Sequence, residues 1–241
     1  MSIFKNILGR IFAAWALVVF SITMIPAFLL ILCLNALKEP GRSEKFRIIT
    51  QVWMRVFFFM TGIRIRIKGK EHFDKNKTYV IICNHRSFMD VPMTTPFLPA
   101  NKTIAKKEMA SIPVFGTIYK MGSVLVDRKS EESRRRSFDD MKKVLALGLN
   151  MCIYPEGTRN KTIEPLQPFH NGAFRLSKET GKPILPVAMF NTAKVLPADK
   201  TFFFWPVTIR MHILPAIDPS ALSMEELKKA AFERMKAELK M

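Results

Sequence analysis

Residues 79–90 read YVIICNHRSFMD and residues 151–160 read MCIYPEGTRN. Each is a short apolar run that stops abruptly at polar and turn-forming residues. Tyr79–Cys83 and Met151–Tyr154 have the length and β-branched bias of strands. Similar runs recur at Ile63–Ile67 (IRIRI, strict alternation), Ser123–Val126, Ile184–Met189 and Val207–Leu214. Between them lie helical patterns, Ser130 to Leu147 with Gly148 as its stop and Ser177–Thr180 as a short tail before Gly181. Strands alternating with helices predict an α/β fold, a mostly parallel sheet flanked by helices. Ser223–Lys240 reads as a closing amphipathic helix whose Ser223 and Glu226 form a capping box.

Upstream of this region the chain changes character. Residues 11–34 carry no charge. As one helix they would reach roughly 36 Å, against about 30 Å for a hydrocarbon core. Pro26 kinks that run or splits it. The run is too long for a signal peptide and has no small-residue cleavage site after it. A second apolar stretch, Ile48 to Ile63, is too short to span and carries Gln51 and Arg55 one turn apart, so it reads as an interfacial amphipathic helix. Residues 1–63 are thus an N-terminal helical membrane-associated segment and 64–241 the α/β domain. The first run either spans the bilayer or dips into one leaflet as a hairpin. The heavier basic flank follows it (Lys38, Arg42, Lys45, Arg47), which keeps the remainder cytoplasmic.

Composition agrees. The chain has 241 residues, 49% hydrophobic, and a formal net charge of +18. A chain both apolar and basic is suited to a surface that is greasy and anionic, and a bilayer is the simplest one. Between Arg42 and Lys77 ten Lys or Arg stand against three Asp or Glu, bracketing the second apolar stretch. Collagen, coiled coil and disorder are excluded by the composition. Cys33, Cys83 and Cys152 sit in apolar runs at wide spacing and read as buried reduced thiols, with neither a disulfide framework nor a zinc site. The four histidines lack metal-ligand spacing, and no Gly-rich nucleotide loop or GxSxG elbow occurs.

Three strand ends carry the chemistry. After Tyr79–Cys83 come His85 and, five residues on, Asp90. A carboxylate that accepts from one imidazole nitrogen leaves the other basic and free for a substrate hydroxyl. Ser87 to Asp90 is also a capping box, so Asp90 alternatively only closes a helix. After Met151–Tyr154 the turn Pro155-Glu156-Gly157-Thr158-Arg159 offers backbone N–H groups and a guanidinium to a phosphate monoester, or is an ordinary turn with a solvated Arg. After Ser123–Val126 come Asp127 and Arg128, which by default form a surface ion pair. Without an elbow serine, and with Cys83 inside its strand, direct attack by an activated substrate hydroxyl is preferred to a covalent acyl-enzyme.

These pieces, in this order, resemble the motif set of the glycerolipid acyltransferases, in particular the bacterial 1-acyl-glycerol-3-phosphate acyltransferases. NHRSFMD is similar to the family's NHxxxxD motif, GSVLVDR to its second, YPEGTRN to its third and LPV at 185–187 to its fourth. The likeness extends from roughly Gly69 to Leu214. It implies acyl transfer from a thioester, acyl-CoA or acyl carrier protein, to the sn-2 hydroxyl of a 1-acyl-glycerol-3-phosphate. The product is phosphatidic acid for phospholipid synthesis. His85 would be the general base and Asp90 its orienting partner. Glu156, Gly157, Thr158 and Arg159, with Arg128 and Lys106, would hold the acceptor's phosphate, and Pro186 would stand near the acyl or active-site wall. No cofactor or metal is implied, and the family's membrane anchor matches residues 1–63. Tyr154 stands where Phe is commoner, Asn160 where Ser is, and His170 where a Lys often precedes the Gly.

Three other readings compete. The acceptor is another lyso-lipid, such as a lyso-aminolipid or another lysophospholipid. The chain is a non-catalytic basic peripheral membrane protein. Or its charge serves nucleic acid, which the Phe-rich stretches 56–60 and 201–205 argue against, since they look hydrophobic rather than like stacking platforms.

Overall fold

The computed structural model describes residues 3–240. Helices α1 (Ile3–Cys33) and α2 (Gly41–Met60) form an N-terminal hairpin. After it the chain runs through β1 (Ile65–Lys68), β2 (Val80–Cys83), α3 (Asp90–Phe97), β3 (Asn101–Lys106), α4 (Phe115–Met121) and β4 (Ser123–Val126). It continues through α5 (Glu131–Ala146), β5 (Asn150–Ile153), α6 (Gly172–Thr180), β6 (Ile184–Phe190), the single turn α7 (Thr192–Val195), β7 (Ile209–Ile213) and α8 (Met224–Lys240). The strands make one seven-stranded sheet in the order β1-β7-β6-β2-β5-β3-β4. Every pairing is parallel except β6 with β7. The α/β class expected from the sequence is therefore the class observed.

Side-chain alternation sorts the sheet into two cores. Ile81, Cys83, Cys152 and Leu185 face the side covered by α1, α2 and α3. Val80, Ile82, Met151 and Ile184 face the side covered by α5, α6 and α8. Both faces are covered, so β2 and β5 are buried at every position, and all but Asn150 of those residues are apolar. The Ser223–Glu226 capping box forms as read, with Ser223 N–H donating to Glu226 at 2.8 Å and Glu226 N–H to Ser223 Oγ at 3.2 Å.

The hairpin belongs to the first core. Most of the residues that helix α1 buries are small (Gly9, Ala13, Ala16 and Ala27), which lets other backbone and rings come close. At Gly9 the fit leaves no room for a methyl group: an added Cβ would lie 2.1 Å from the Phe203 ring. Trp53 Nε1 donates to Thr23 Oγ1 at 3.0 Å, and Phe20 packs on both Trp53 and Phe57. At the hairpin turn Glu39 accepts from Arg42 and, across the domain, from Lys102 Nζ at 2.8 Å.

The structure departs from several expectations. Strand β3 was not foreseen. Its sequence NKTIAK is polar at four of six positions, yet Asn101, Thr103 and Ala105 are buried between β5 and β4. Helix α6 begins at Gly172 rather than at its tail, and Pro26 lies inside one continuous α1. Gln51 does not face water, since its amide donates to Pro96 O at 2.9 Å and pins α2 to α3. Cys33 is exposed, whereas Cys83 and Cys152 are buried with their sulfurs 3.8 Å apart.

Burial pushes the Glu39 carboxyl up, but Lys102, the Ser43 N–H and Arg42 outweigh it and bring it from 4.5 down to about 2. A depressed carboxyl stabilises the fold above its unfolded value, and that contribution disappears as pH falls through its folded value. The hairpin clasp should therefore hold above pH 4.5 and loosen as the pH falls toward 2. Trp fluorescence followed across that window should show the transition, and Lys102→Met should flatten it.

Candidate active site

The site lies beyond the carboxyl ends of the parallel strands, the usual place for a ligand in an open α/β sheet. Asn84, the first residue after β2, clamps that strand to β6: its amide donates to Met189 O at 2.9 Å and its oxygen accepts from Met189 N–H at 2.7 Å. With the strand end fixed, the chain turns and presents His85. Asp90 Oδ2 lies 2.7 Å from His85 Nδ1 and also accepts from the backbone N–H groups of Arg86 (2.7 Å) and Ser87 (2.9 Å). A carboxylate can only accept, so Nδ1 carries the hydrogen and Nε2 of the neutral ring is left as a base. Asp90 is fully buried and the His85 side chain 19% exposed. The carboxylate that holds the imidazole also accepts from the turn before α3, but only half of the Ser87–Asp90 capping box forms: Ser87 Oγ accepts from Met89 N–H, and no side chain caps α3.

Two further contacts hold the imidazole. Its ring stacks on Tyr154 with centroids 4.3 Å apart, and the Tyr154 hydroxyl lies 2.9 Å from Thr94 Oγ1 on α3. Its backbone is fixed from the β5 side: His85 N–H donates to Glu156 Oε1 at 2.7 Å, and His85 O accepts from Asn160 N–H at 2.6 Å.

Glu156 therefore does something other than the sequence suggested. Its second oxygen accepts from Gln167 N–H at 2.8 Å and the side chain is 3% exposed. Burial pushes its carboxyl above the usual carboxylate range, against the pull of those two N–H donors and of His85. An inward-facing carboxylate is no ligand for an anion, and the phosphate expectation for Glu156 is corrected to one of holding the loops. Gly157 takes the left-handed conformation (φ 71°), and a Cβ there would lie 2.7 Å from the His170 ring. His170, at the position where the family often carries a Lys, lies against that glycine.

A cavity of about 870 Å³ opens from His85. One end is polar: Lys106, Arg128, Thr158, Arg159 and Lys161 line it with Gly157. No carboxylate among the described residues lines the cavity. Arg159 lies over the Phe88 ring at 3.7 Å, and Arg128 Nη1 donates to Gly157 O rather than pairing with Asp127. Most of the rest is apolar, with α1 and α2 walling it through Leu17, Phe20, Trp53, Met54 and Phe57. Lys106, Arg128, Gly157, Thr158 and Arg159 are thus brought to one mouth beside His85. Pro186 is not. It sits within β6, an interior strand, paired with Ile82, and is absent from the lining. In the alternation it shares the far face with Ile184, so its expected place at the acyl wall is corrected.

Sequence reading missed Lys161, Phe88 and the hairpin side chains, and saw Tyr154 only as a substitution. Arg86 was also passed over; its guanidinium donates to Thr162 O (2.8 Å) and Glu164 O (3.0 Å), tying the loop after β5 to the His85 turn. Only its place inside NHRSFMD signalled it.

These features define an α/β protein with a His–Asp dyad at the carboxyl edge of its sheet, beside a cavity cationic at the mouth and apolar within. The chain belongs to the acyltransferase family, whose model matches residues 64–190. It is 26% identical over 207 residues to the 1-acyl-sn-glycerol-3-phosphate acyltransferase alpha of Mus musculus, covering 85% of this chain and 72% of that one. It is 28% identical over 185 residues to the 1-acyl-sn-glycerol-3-phosphate acyltransferase of Borreliella burgdorferi, covering 74% and 72%. The crystal structure of PlsC, the 1-acyl-sn-glycerophosphate acyltransferase from Thermotoga maritima, shares the fold with a TM-score of 0.84 at 20% identity, over 97% of this chain and 95% of that one.

Asp90→Asn should lower kcat by on the order of 10²–10⁴-fold, since an amide presents the wrong partner to Nδ1 or to the turn N–H groups. The apparent KM should stay within a factor of about two. A steady-state comparison with thermal melts of both proteins checks this.

Proposed function

We propose that the protein transfers a fatty acyl group from a thioester to the sn-2 hydroxyl of 1-acyl-glycerol-3-phosphate, giving phosphatidic acid. The observation that carries this reading is the His85–Asp90 pair at the mouth of a cavity with cations at one end and apolar walls at the other. A phosphorylated acceptor with an acyl chain has those same two ends. The names borne by the relatives point the same way.

In the proposed step His85 Nε2 takes the proton of the acceptor hydroxyl as its oxygen attacks the thioester carbonyl. The tetrahedral intermediate collapses, the C–S bond breaks, and the departing sulfur takes the proton from the imidazolium. No charge remains on the protein. The thioester supplies the driving force, so placing the two substrates contributes on the order of 7–11 kcal/mol and the base about 10²–10⁴-fold. Arg159 and Arg128, with Lys106 and the Thr158 hydroxyl, would receive the phosphate. Donor carriers of both kinds, coenzyme A and acyl carrier protein, fit this scheme.

The hairpin supports a membrane setting, with the catalytic domain on the cytoplasmic face of the inner membrane. Ile3, Ile7, Ile11, Trp15, Ile22 and Leu29 run along one exposed side of α1, and Ile48, Val52, Val56 and Phe59 along one side of α2. Both ends of α1 touch the same domain. Near one end, Gly9 O accepts from Phe204 N–H at 3.0 Å; past the other, Glu39 meets Lys102. A spanning α1 would put those ends, and with them the domain they touch, on opposite sides of the bilayer. The contacts favour the hairpin dipping into one leaflet.

His85→Ala, confirmed folded, should lose at least about 10²-fold in turnover while still sedimenting with vesicles. Mass spectrometry of products from lysophosphatidate, other lyso-lipids and both donor types would identify acceptor and donor; near wild-type phosphatidate formation by His85→Ala would refute the reading. Arg159→Ala should raise the apparent KM for lysophosphatidate by about 10–100-fold with a smaller effect on kcat, as expected for a charge contact made in ground and transition states alike.

A further inference from the structure

Three hydroxyls of the large cavity stand apart from the cations at its mouth. Thr95 comes from α3, Thr103 from β3 and Ser123 from β4, and all three line the cavity. Thr103 and Ser123 are register partners on neighbouring strands, and Thr95 Oγ1 lies 3.4 Å from Thr103 Oγ1. That separation is longer than the usual O–H···O distance of about 2.5–3.0 Å, so both hydroxyls keep most of their bonding capacity. The Ser123 hydroxyl makes no hydrogen bond among the described residues. Thr103 is 3% exposed, between β5 and β4, where Val would have the same shape without the hydroxyl. A buried hydroxyl with a poor partner is costly. A polar group on a ligand in the cavity would supply the partner.

Their place along the wall indicates which group. Thr103 stands three residues before Lys106 on β3, roughly 10 Å at about 3.3 Å per residue. Phe46 of α2 also lines the cavity here, close enough that a Cβ added to Gly122 would lie 2.8 Å from its ring. The rings of Trp53 and Phe57 follow along the same helix. The lining thus offers cations, then hydroxyls, then apolar rings. A 1-acyl-glycerol-3-phosphate offers a phosphate, then an ester, then a hydrocarbon chain. Its phosphorus and ester carbonyl carbon are six bonds apart, about 7 Å extended at about 1.2 Å per bond, and the flexible lysine stem takes up the difference. Strands β3 and β4 lie two and three places from β2 in the sheet, about 10 and 14 Å at about 4.8 Å per strand. The hydroxyls therefore stand to one side of the carbonyl attacked at His85.

We propose that Thr95, Thr103 and Ser123 donate to the ester carbonyl of the acceptor's sn-1 chain, and that the protein thereby distinguishes 1-acyl from 1-alkyl acceptors. An ether-linked chain has the same phosphate and the same hydrocarbon but no carbonyl oxygen, so it leaves the hydroxyls unsatisfied. The inference rests on the reading of the acceptor as a lysophosphatidate and adds to it the group that the cavity recognises between phosphate and chain.

The test compares kcat/KM for 1-oleoyl-glycerol-3-phosphate and its 1-O-oleyl ether, in the same detergent micelles and with one acyl thioester donor. The wild-type protein should favour the ester by on the order of 5–10-fold. Thr103→Val combined with Ser123→Ala should bring the ratio to within about twofold of one, with the loss falling on the ester rather than on the ether. Thr103→Ser keeps a hydroxyl and should keep the preference. Should a thermal melt show the double variant unfolded, Ser123→Ala alone, at a half-buried position, should still give an intermediate ratio. Equal use of both acceptors by the wild-type protein would overturn the proposal. So would a double variant, or Ser123→Ala in its place, that kept the full preference or lost both activities alike while folded. Turnover of neither acceptor by the wild-type protein would instead overturn the acyl-transfer reading on which the proposal stands.

Discussion

One buried carboxylate joins the parts of this site. Glu156, on the turn after β5, accepts from the backbone of His85 with one oxygen and from the backbone of Gln167 with the other. Two loops, after β2 and after β5, are joined at that side chain, and His85 O returns a bond to Asn160 N–H. A carboxylate taken from water is costly unless its oxygens are satisfied, and satisfying them requires both N–H groups to be where they are. The imidazole is thereby fixed through its backbone from β5 and through its ring by Asp90 and Tyr154. It is positioned before any substrate arrives, the condition under which the proposed general base would contribute most.

The hairpin and the domain are not independent pieces. Helices α1 and α2 share the core on one face of the sheet and supply the apolar wall of the cavity that starts at His85. The same two helices turn their other sides outward with a continuous run of large apolar residues. A substrate held in that cavity lies between the cations at strand ends and a wall whose reverse faces the proposed lipid phase. Membrane attachment and substrate binding are then two faces of one structural element.

The charge that first suggested a bilayer divides in the same way. Lys106, Arg128, Arg159 and Lys161 come together at the large cavity, while Arg10 and Lys200 line a second, smaller one. Each group is drawn from separate segments: Lys106, Arg128 and the 159–161 turn in one, Arg10 and Lys200 in the other. Net charge indicated the class of partner, and the fold sorted that charge into separate places.

The sequence determined what short-range physics controls. Apolar runs of strand length, alternating with helical ones, specified an α/β sheet; NHRSFMD and YPEGTRN marked two strand ends; the Ser223–Glu226 box started α8. These are legible because periodicity, capping and turn chemistry act over a few residues. Strand β3 escaped because its burial comes from neighbours on both sides and not from its own composition. Glu156 resembled an anion site beside Arg159 until its oxygens were seen facing two backbone N–H groups. Pro186 resembled a wall until its register with Ile82 placed it on the far face of an interior strand. Each of these was decided by contacts between residues far apart in the chain, where burial and hydrogen-bond satisfaction depend on what the fold brings alongside.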